Sequence, residues 1–162
     1  MTDLLIWPPL LGVLGMVVAV IIYMIVRSYD PGSEALQKIA DAIHEGAMVF
    51  MKREYTQLAI FAAVLLVAIY FSLGSSTAIA FLAGALSSAC AGWFGMYTAT
   101  QANVRTTNAA HTDGQASALS VAFFGGSIMG LAVASLGLIG LGSVYYFFGG
   151  DPETAHHIHG FG

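Results

Sequence analysis

Charge is what this 162-residue sequence has least of: Asp, Glu, Lys and Arg together make up 9% of it. Soluble domains carry about 25%, and a water-facing surface cannot be built from so few. With 57% hydrophobic residues and a mean hydropathy of +0.79, the chain needs lipid as the solvent for most of its length. Basic charge is scarcer than acidic, five Lys and Arg against nine Asp and Glu, and the net charge of −4 excludes a nucleic-acid partner held by basic electrostatics. The single cysteine, Cys90, lies in an apolar run, so a disulfide framework and a Cys-based metal site are excluded. Signal-peptide features are missing as well. The start, MTDLLIWPPL, has Asp3 where Lys or Arg would stand, and no cleavage-like site follows, so it reads as a retained first span. Catalytic signatures are absent too: no Gly-rich phosphate loop after a strand, no HExxH and no GxSxG.

Long apolar runs are what the sequence does have. A membrane helix needs roughly 20 apolar residues to cross a core about 30 Å thick. Four stretches qualify, at about 4–26, 56–73, 78–100 and 119–143, the last inside a longer run at 116–148. Pro8 and Pro9 fall near the start of the first, where missing N–H groups cost least. A short turn, GSSTA, joins the second to the third. All five basic residues lie in two segments: Arg27, Lys38, Lys52 and Arg53 between spans one and two, and Arg105 between spans three and four. The positive-inside rule then places both connections in the cytoplasm and both ends, including the tail 149–162, outside.

Residues 33–55 form a different kind of helix. Leu36, Ile39, Ile43, Ala47 and Phe50 make one apolar stripe, opposed by Glu34, Lys38, Asp41, Glu45 and Lys52. The pattern predicts an amphipathic cytoplasmic helix packed on its neighbours or lying in the interface, with Asp30 and Pro31 as N-cap and first residue. Lipid tails are as apolar as leucine, so the spans must associate through small residues. Gly84, Ser88 and Gly92 in span three, and Gly126, Gly130 and Ala134 in span four, predict close-packing faces that bring these two spans together or seat each against helices outside this chain.

No Asp, Glu, Lys, Arg or His occurs at 4–26, 56–73, 78–100 or 119–148. Ion pathways need ionisable groups at membrane depth, so these spans read as wall rather than pathway. The remaining chemistry-bearing residues are few. His156, His157 and His159 follow Asp151 and Glu153 in the tail, a donor set that suits a transition metal but has no second cluster to complete a shell. His111 and Asp113 are less specific, and His44 beside the amphipathic stripe reads as a packed residue. Arg105, between Asn103 and Asn108, reads as an anchor at the foot of a packing helix, since a lone Arg makes a weak phosphate site.

Three segments together carry a family resemblance: GSEALQKIADAIHEGAMVFMKREY, FLAGALSSACAGWFGMYTATQANVRTTNAA and ALSVAFFGGSIMGLAVASLGLIGLG. They resemble the N-terminal portion of the membrane-integral, ion-pumping inorganic pyrophosphatases, and GMYTATQANVRTT is the most specific of the matches. The resemblance implies an all-α integral membrane fold. Four transmembrane helices and one amphipathic helix would form the outer-ring part of a larger sixteen-helix, two-ring homodimer. It implies hydrolysis of Mg2+-pyrophosphate coupled to outward movement of H+ or Na+; the short N-terminus favours a prokaryotic plasma membrane. None of the family's acidic substrate motifs occurs in these residues, so no catalytic, cofactor-binding or metal-binding residue is carried over. The expectation is an N-terminal fragment, inactive alone and binding no Mg2+ itself, whose partners are lipid and the remaining helices. The alternative is a free-standing four-helix scaffold or accessory subunit; a third reading is a small metal-handling protein using the histidine tail.

Overall fold

The computed structural model describes residues 6–148 and 155–161. Four helices make up nearly all of it: α1 Trp7–Ser28, α2 Glu34–Leu73, α3 Ser75–Thr112 and α4 Gln115–Phe148, followed by a 3-10 turn at Ala155–Gly160. All four are long and apolar enough to cross a membrane. At 1.5 Å per residue, α2, with 40 residues, is about 60 Å long, so it must project far beyond a core about 30 Å thick.

The reading of residues 33–55 and 56–73 as two elements is corrected by α2, which runs through both. No Gly or Pro occurs from Ala47 to Leu73, so nothing interrupts the hydrogen-bond ladder. Its N-cap is also different. Ser33 caps the helix, its hydroxyl accepting from the Leu36 N–H at 3.4 Å. Asp30 instead closes a local turn by accepting from the Gly32 N–H at 2.9 Å. The connection from α2 to α3 shrinks to a single residue: Gly74 ends one helix and starts the next at φ +91°, a backbone conformation that disfavours any side chain.

The helices pack in the order α2, α3, α4, α1, with α3 and α4 central; among the described residues, α1 and α2 do not meet. Small residues line the contacts. On α3, Ala91, Gly95, Thr98, Ala102, Arg105 and Ala109 are buried at alternating intervals of four and three. On α4 the same alternation runs through Ala118, Val121, Gly125, Ile128, Ala132 and Ser135. A mean period of 3.5 keeps a seam facing its partner along slightly supercoiled helices.

Of the two outcomes expected of these small-residue rows, the meeting of spans three and four through Gly126 and Gly130 is corrected. A Cβ placed at Gly126 or Gly130 meets nothing within 4 Å, whereas one at Gly125 would lie 2.5 Å from the Ala102 Cβ. Gly92 faces the Tyr55 hydroxyl of α2, and Gly84 faces the Phe161 backbone beyond the 3-10 turn. Steps of four advance faster than the 3.6-residue turn, so a strict every-fourth row winds off the interface. α1 reaches α4 by its own glycines: at Gly12 a Cβ would sit 2.7 Å from the Ser135 carbonyl oxygen. Gly15 abuts the Ser135 hydroxyl in the same way.

The amphipathic stripe is divided between an exposed side and a packed one. Ile39, Ile43 and Phe50 are more than half exposed, while His44, Ala47, Met48, Met51 and Tyr55 turn toward α3. The face of α2 that packs is the more polar and methionine-rich one.

Candidate functional site

The polar side chains of this apolar bundle gather at the end where α1 stops, α2 starts and α3 turns into α4. Successive turns of α3 present Tyr97, Gln101, Arg105 and Asn108 along one side, with Thr100 beside them. The Thr100 hydroxyl donates to the Tyr97 carbonyl at 2.9 Å and lies 2.7 Å from His44 Nδ1. A hydroxyl has one proton to give, so Thr100 accepts from His44 and the proton is placed on Nδ1. The His44 ring meets Tyr97 edge-on at 5.2 Å, and Trp93 stacks on Tyr97 at 5.5 Å. From α1, Tyr23 reaches both Tyr97 and Arg27. His44 is thus a packed, hydrogen-bonded residue joining α2 to α3.

The segment between α1 and α2 is strapped onto α3. Asn108 Nδ2 donates to the Asp30 carbonyl at 3.1 Å, and Gln37 Nε2 donates to the Gly32 carbonyl at 2.6 Å. Gly32, at φ +86°, lies so close that a Cβ there would stand 2.6 Å from Asn108 Oδ1. Asn103, the other amide flanking Arg105, is exposed.

Arg105 differs from the anchor expected of it. Only 7% of its surface is exposed. Its Nη1 donates to the Gln101 carbonyl at 2.7 Å and approaches Gln101 Oε1 at 3.4 Å. Its Nε is sealed from solvent without a hydrogen-bond partner. Among the described residues no carboxylate pairs with it, and Arg27 lies close enough for the two positive charges to repel. A buried donor on a charged group left unpaired costs about 1–3 kcal/mol. Two cavities open beside the guanidinium. One of about 250 Å³ is lined by Tyr29, Asp30, Arg105, Asn108, Thr112 and Asp113. The other, about 130 Å³, is bordered by Pro31, Gln37, Asp41, Thr100 and Gln101 as well as Arg105. Composition flagged this arginine as unusual; its burial depends on how the 29–33 segment lies over α3, which has no periodic signal.

The other sequence candidates stay apart. Cys90 and His111 are exposed, and Asp113 is the C-cap of α3. His159 is exposed on the 3-10 turn; Asp151 and Glu153, and the side chains of His156 and His157, lie outside the described residues. Among the described residues, no group of three His, Cys, Asp or Glu is placed to hold a metal ion.

Comparison with known proteins bears on the whole of this arrangement. The family model for inorganic H+ pyrophosphatase matches residues 13–162. A K+-insensitive pyrophosphate-energized proton pump of Methanosarcina mazei is 40% identical over 151 residues, which cover 92% of this chain and 22% of that protein. A second K+-insensitive proton pump, from Moorella thermoacetica, is 43% identical over 157 residues, covering 93% of the chain and 23% of the relative. A K+-stimulated sodium pump of Thermotoga maritima is 43% identical over 121 residues, 73% of the chain and 16% of that pump. The chain therefore spans less than a quarter of the length of these relatives. With four membrane-capable helices and a match over residues 13–162, this chain belongs to the inorganic H+ pyrophosphatase family.

Proposed function

We propose that these residues are the N-terminal, outer-ring part of a pump that couples pyrophosphate hydrolysis to outward movement of H+ or Na+. In this reading both ends of the segment are extracytoplasmic, and the Arg27–Arg105 end faces the cytoplasm of a prokaryotic cell. The single observation that carries the division of labour is the lack of any Asp, Glu, Lys, Arg or His at 4–26, 56–73, 78–100 and 119–148. Spans without those groups at hydrocarbon depth supply packing and enclosure, and in this reading the ion path comes from other helices.

Two surfaces support the partnership with further helices and with a second copy. Ile39, Ile43 and Phe50 form an exposed apolar stripe on the projecting part of α2, and Gly126 and Gly130 leave an open small-residue row on α4. Among the described residues no three His, Cys, Asp or Glu side chains come together, and in this reading the Mg2+ of the reaction is held by the remaining helices.

The test is complementation in sealed vesicles. These 162 residues alone, given pyrophosphate and Mg2+, should show hydrolysis at background and no lumenal pH change. Co-expression with the remaining segment of a family member should restore both. Hydrolysis by the chain alone, or failure of every complementary segment, would reject the reading.

A further inference from the structure

Two contacts fix the register of α2 against α3. His44 meets Thr100 at 2.7 Å, and the Tyr55 hydroxyl donates to the Ala89 carbonyl at 2.9 Å. The apolar run of α3 ends at residue 100, so on α2 that height falls at His44. Lys52 lies eight residues further along, about 12 Å deeper, yet four residues short of the apolar run of α2 at 56–73. The two runs thus end at different heights, with Lys52 between them. A tilt of about 20° changes the relative height of helices 8–10 Å apart by only about 3 Å, so the offset remains. Lys52 is exposed, as is Arg53 beside it, and its ammonium has no ion-pair partner among the described residues. Glu54, two residues on, does not share its side of the helix. Glu45, seven residues back, is about 10 Å away along the axis. A charge at this depth is costly unless its stem snorkels outward or the bilayer thins to meet it.

Lys52 also heads an open groove along α2, lined with it by Tyr55, Thr56, Ala59, Ile60 and Ala63. Both hydroxyls of the groove are spent inside the protein. Thr56 donates to the Lys52 carbonyl at 2.7 Å, and Tyr55 donates to α3. Thr56, Ala59 and Ala63 are small and follow one another at intervals of three and four, so they share a side of the helix. The groove therefore has a cationic head and an apolar floor. Its charge is complementary to an anionic phospholipid, whose phosphate meets a lysine as a point charge and whose acyl chain continues along the floor. A free inorganic anion would leave that floor unused. A zwitterionic lipid lacks the net negative charge, which is worth about fivefold in binding for one lysine at the membrane surface.

We propose that this face of α2 holds an anionic phospholipid, its phosphate drawn down to the Lys52 ammonium and one acyl chain lying along Thr56, Ala59 and Ala63. The membrane surface dips beside α2 to the height of Lys52. The inference stands on the register of α2 and α3 and does not depend on the pump reading.

The test uses the full chain in phosphatidylcholine vesicles, with Trp7→Phe leaving Trp93 as the sole tryptophan. Trp93 is 44% exposed and follows Gly92, which faces the Tyr55 hydroxyl, so it reports on lipid beside this groove. Its emission is followed as phosphatidylglycerol or phosphatidylcholine with brominated acyl chains replaces the host lipid. Brominated phosphatidylglycerol should quench at lower mole fraction. Lys52→Gln should cut that preference about fivefold, and Lys52→Arg should keep it. Ala59→Leu with Ala63→Leu, which fills the groove and leaves the charge, should weaken quenching by both lipids. Lys38→Gln, which removes a lysine further out on α2, should change nothing. Equal quenching by the two lipids in the parent, or a preference untouched by Lys52→Gln, would overturn the site. An equal loss in Lys38→Gln would assign the preference to overall surface charge and overturn it as well. Inorganic phosphate in the buffer abolishing the preference would replace the lipid by a free anion.

Discussion

Replacing Gly125 with leucine tests the α3–α4 seam most directly, because the neighbouring Gly126 and Gly130 serve as controls on the same helix. A Cβ at Gly125 would stand 2.5 Å from the Ala102 Cβ. Ordinary carbon contacts lie at about 3.8 Å, so even this first atom forces the helices about 1.3 Å apart. A gap of 0.5–1 Å already forfeits roughly a quarter to a half of each contact's dispersion energy. Separation would therefore loosen the whole row from Ala118 to Ile128, not one pair. Overpacking of this kind costs about 1–3 kcal/mol, and four added carbons place Gly125→Leu near the upper figure, about 3 kcal/mol. For a chain of this length each kcal/mol moves the midpoint by about 2–4 °C, so the variant should melt about 6–12 °C below the parent. Gly130→Leu meets open space and gains about 0.8 kcal/mol of helix propensity, so it should melt with the parent or slightly above. Circular dichroism in mild detergent reads both. Equal midpoints, or a Gly130 variant that melts first, would refute the assignment of the seam.

Four further outcomes follow from the same geometry. Gly12→Val should detach α1 from α4, because its Cβ would lie 2.7 Å from the Ser135 carbonyl oxygen; loss of a disulfide cross-link engineered between Pro9 and Gly142 would report it. Gly74→Ala has free space but must hold φ +91°, a strain of about 1–3 kcal/mol, and should lower the midpoint without changing helix content. Tyr55→Phe removes the hydroxyl that donates to the Ala89 carbonyl at 2.9 Å and should cost about 1 kcal/mol, read by the same melt. His44→Ala breaks the 2.7 Å bond to Thr100 and the edge contact with Tyr97; an altered Trp93 emission spectrum should follow, because Trp93 stacks on Tyr97.

The one-dimensional pattern is sufficient for the membrane class, the all-helical fold and the family. Each depends on composition, run length and matched segments, which need no knowledge of neighbours. The length of α2 was also latent in the absence of Gly and Pro after Gly46. The faces were not legible in this way. Gly125 and Gly126 are adjacent and chemically identical, yet one touches Ala102 and the other touches nothing. In lipid the apolar pattern cannot tell a buried side from an exposed one, because the solvent is as apolar as the core. Only the mutual placement of α3 and α4 selects the seam. Arg105 shows the same limit for polar groups: its type and position were visible in sequence, but its burial required the 29–33 segment to close over α3 through Asn108 and Gly32. Contacts between residues 78 positions apart leave no periodic trace, and tertiary structure alone decides them.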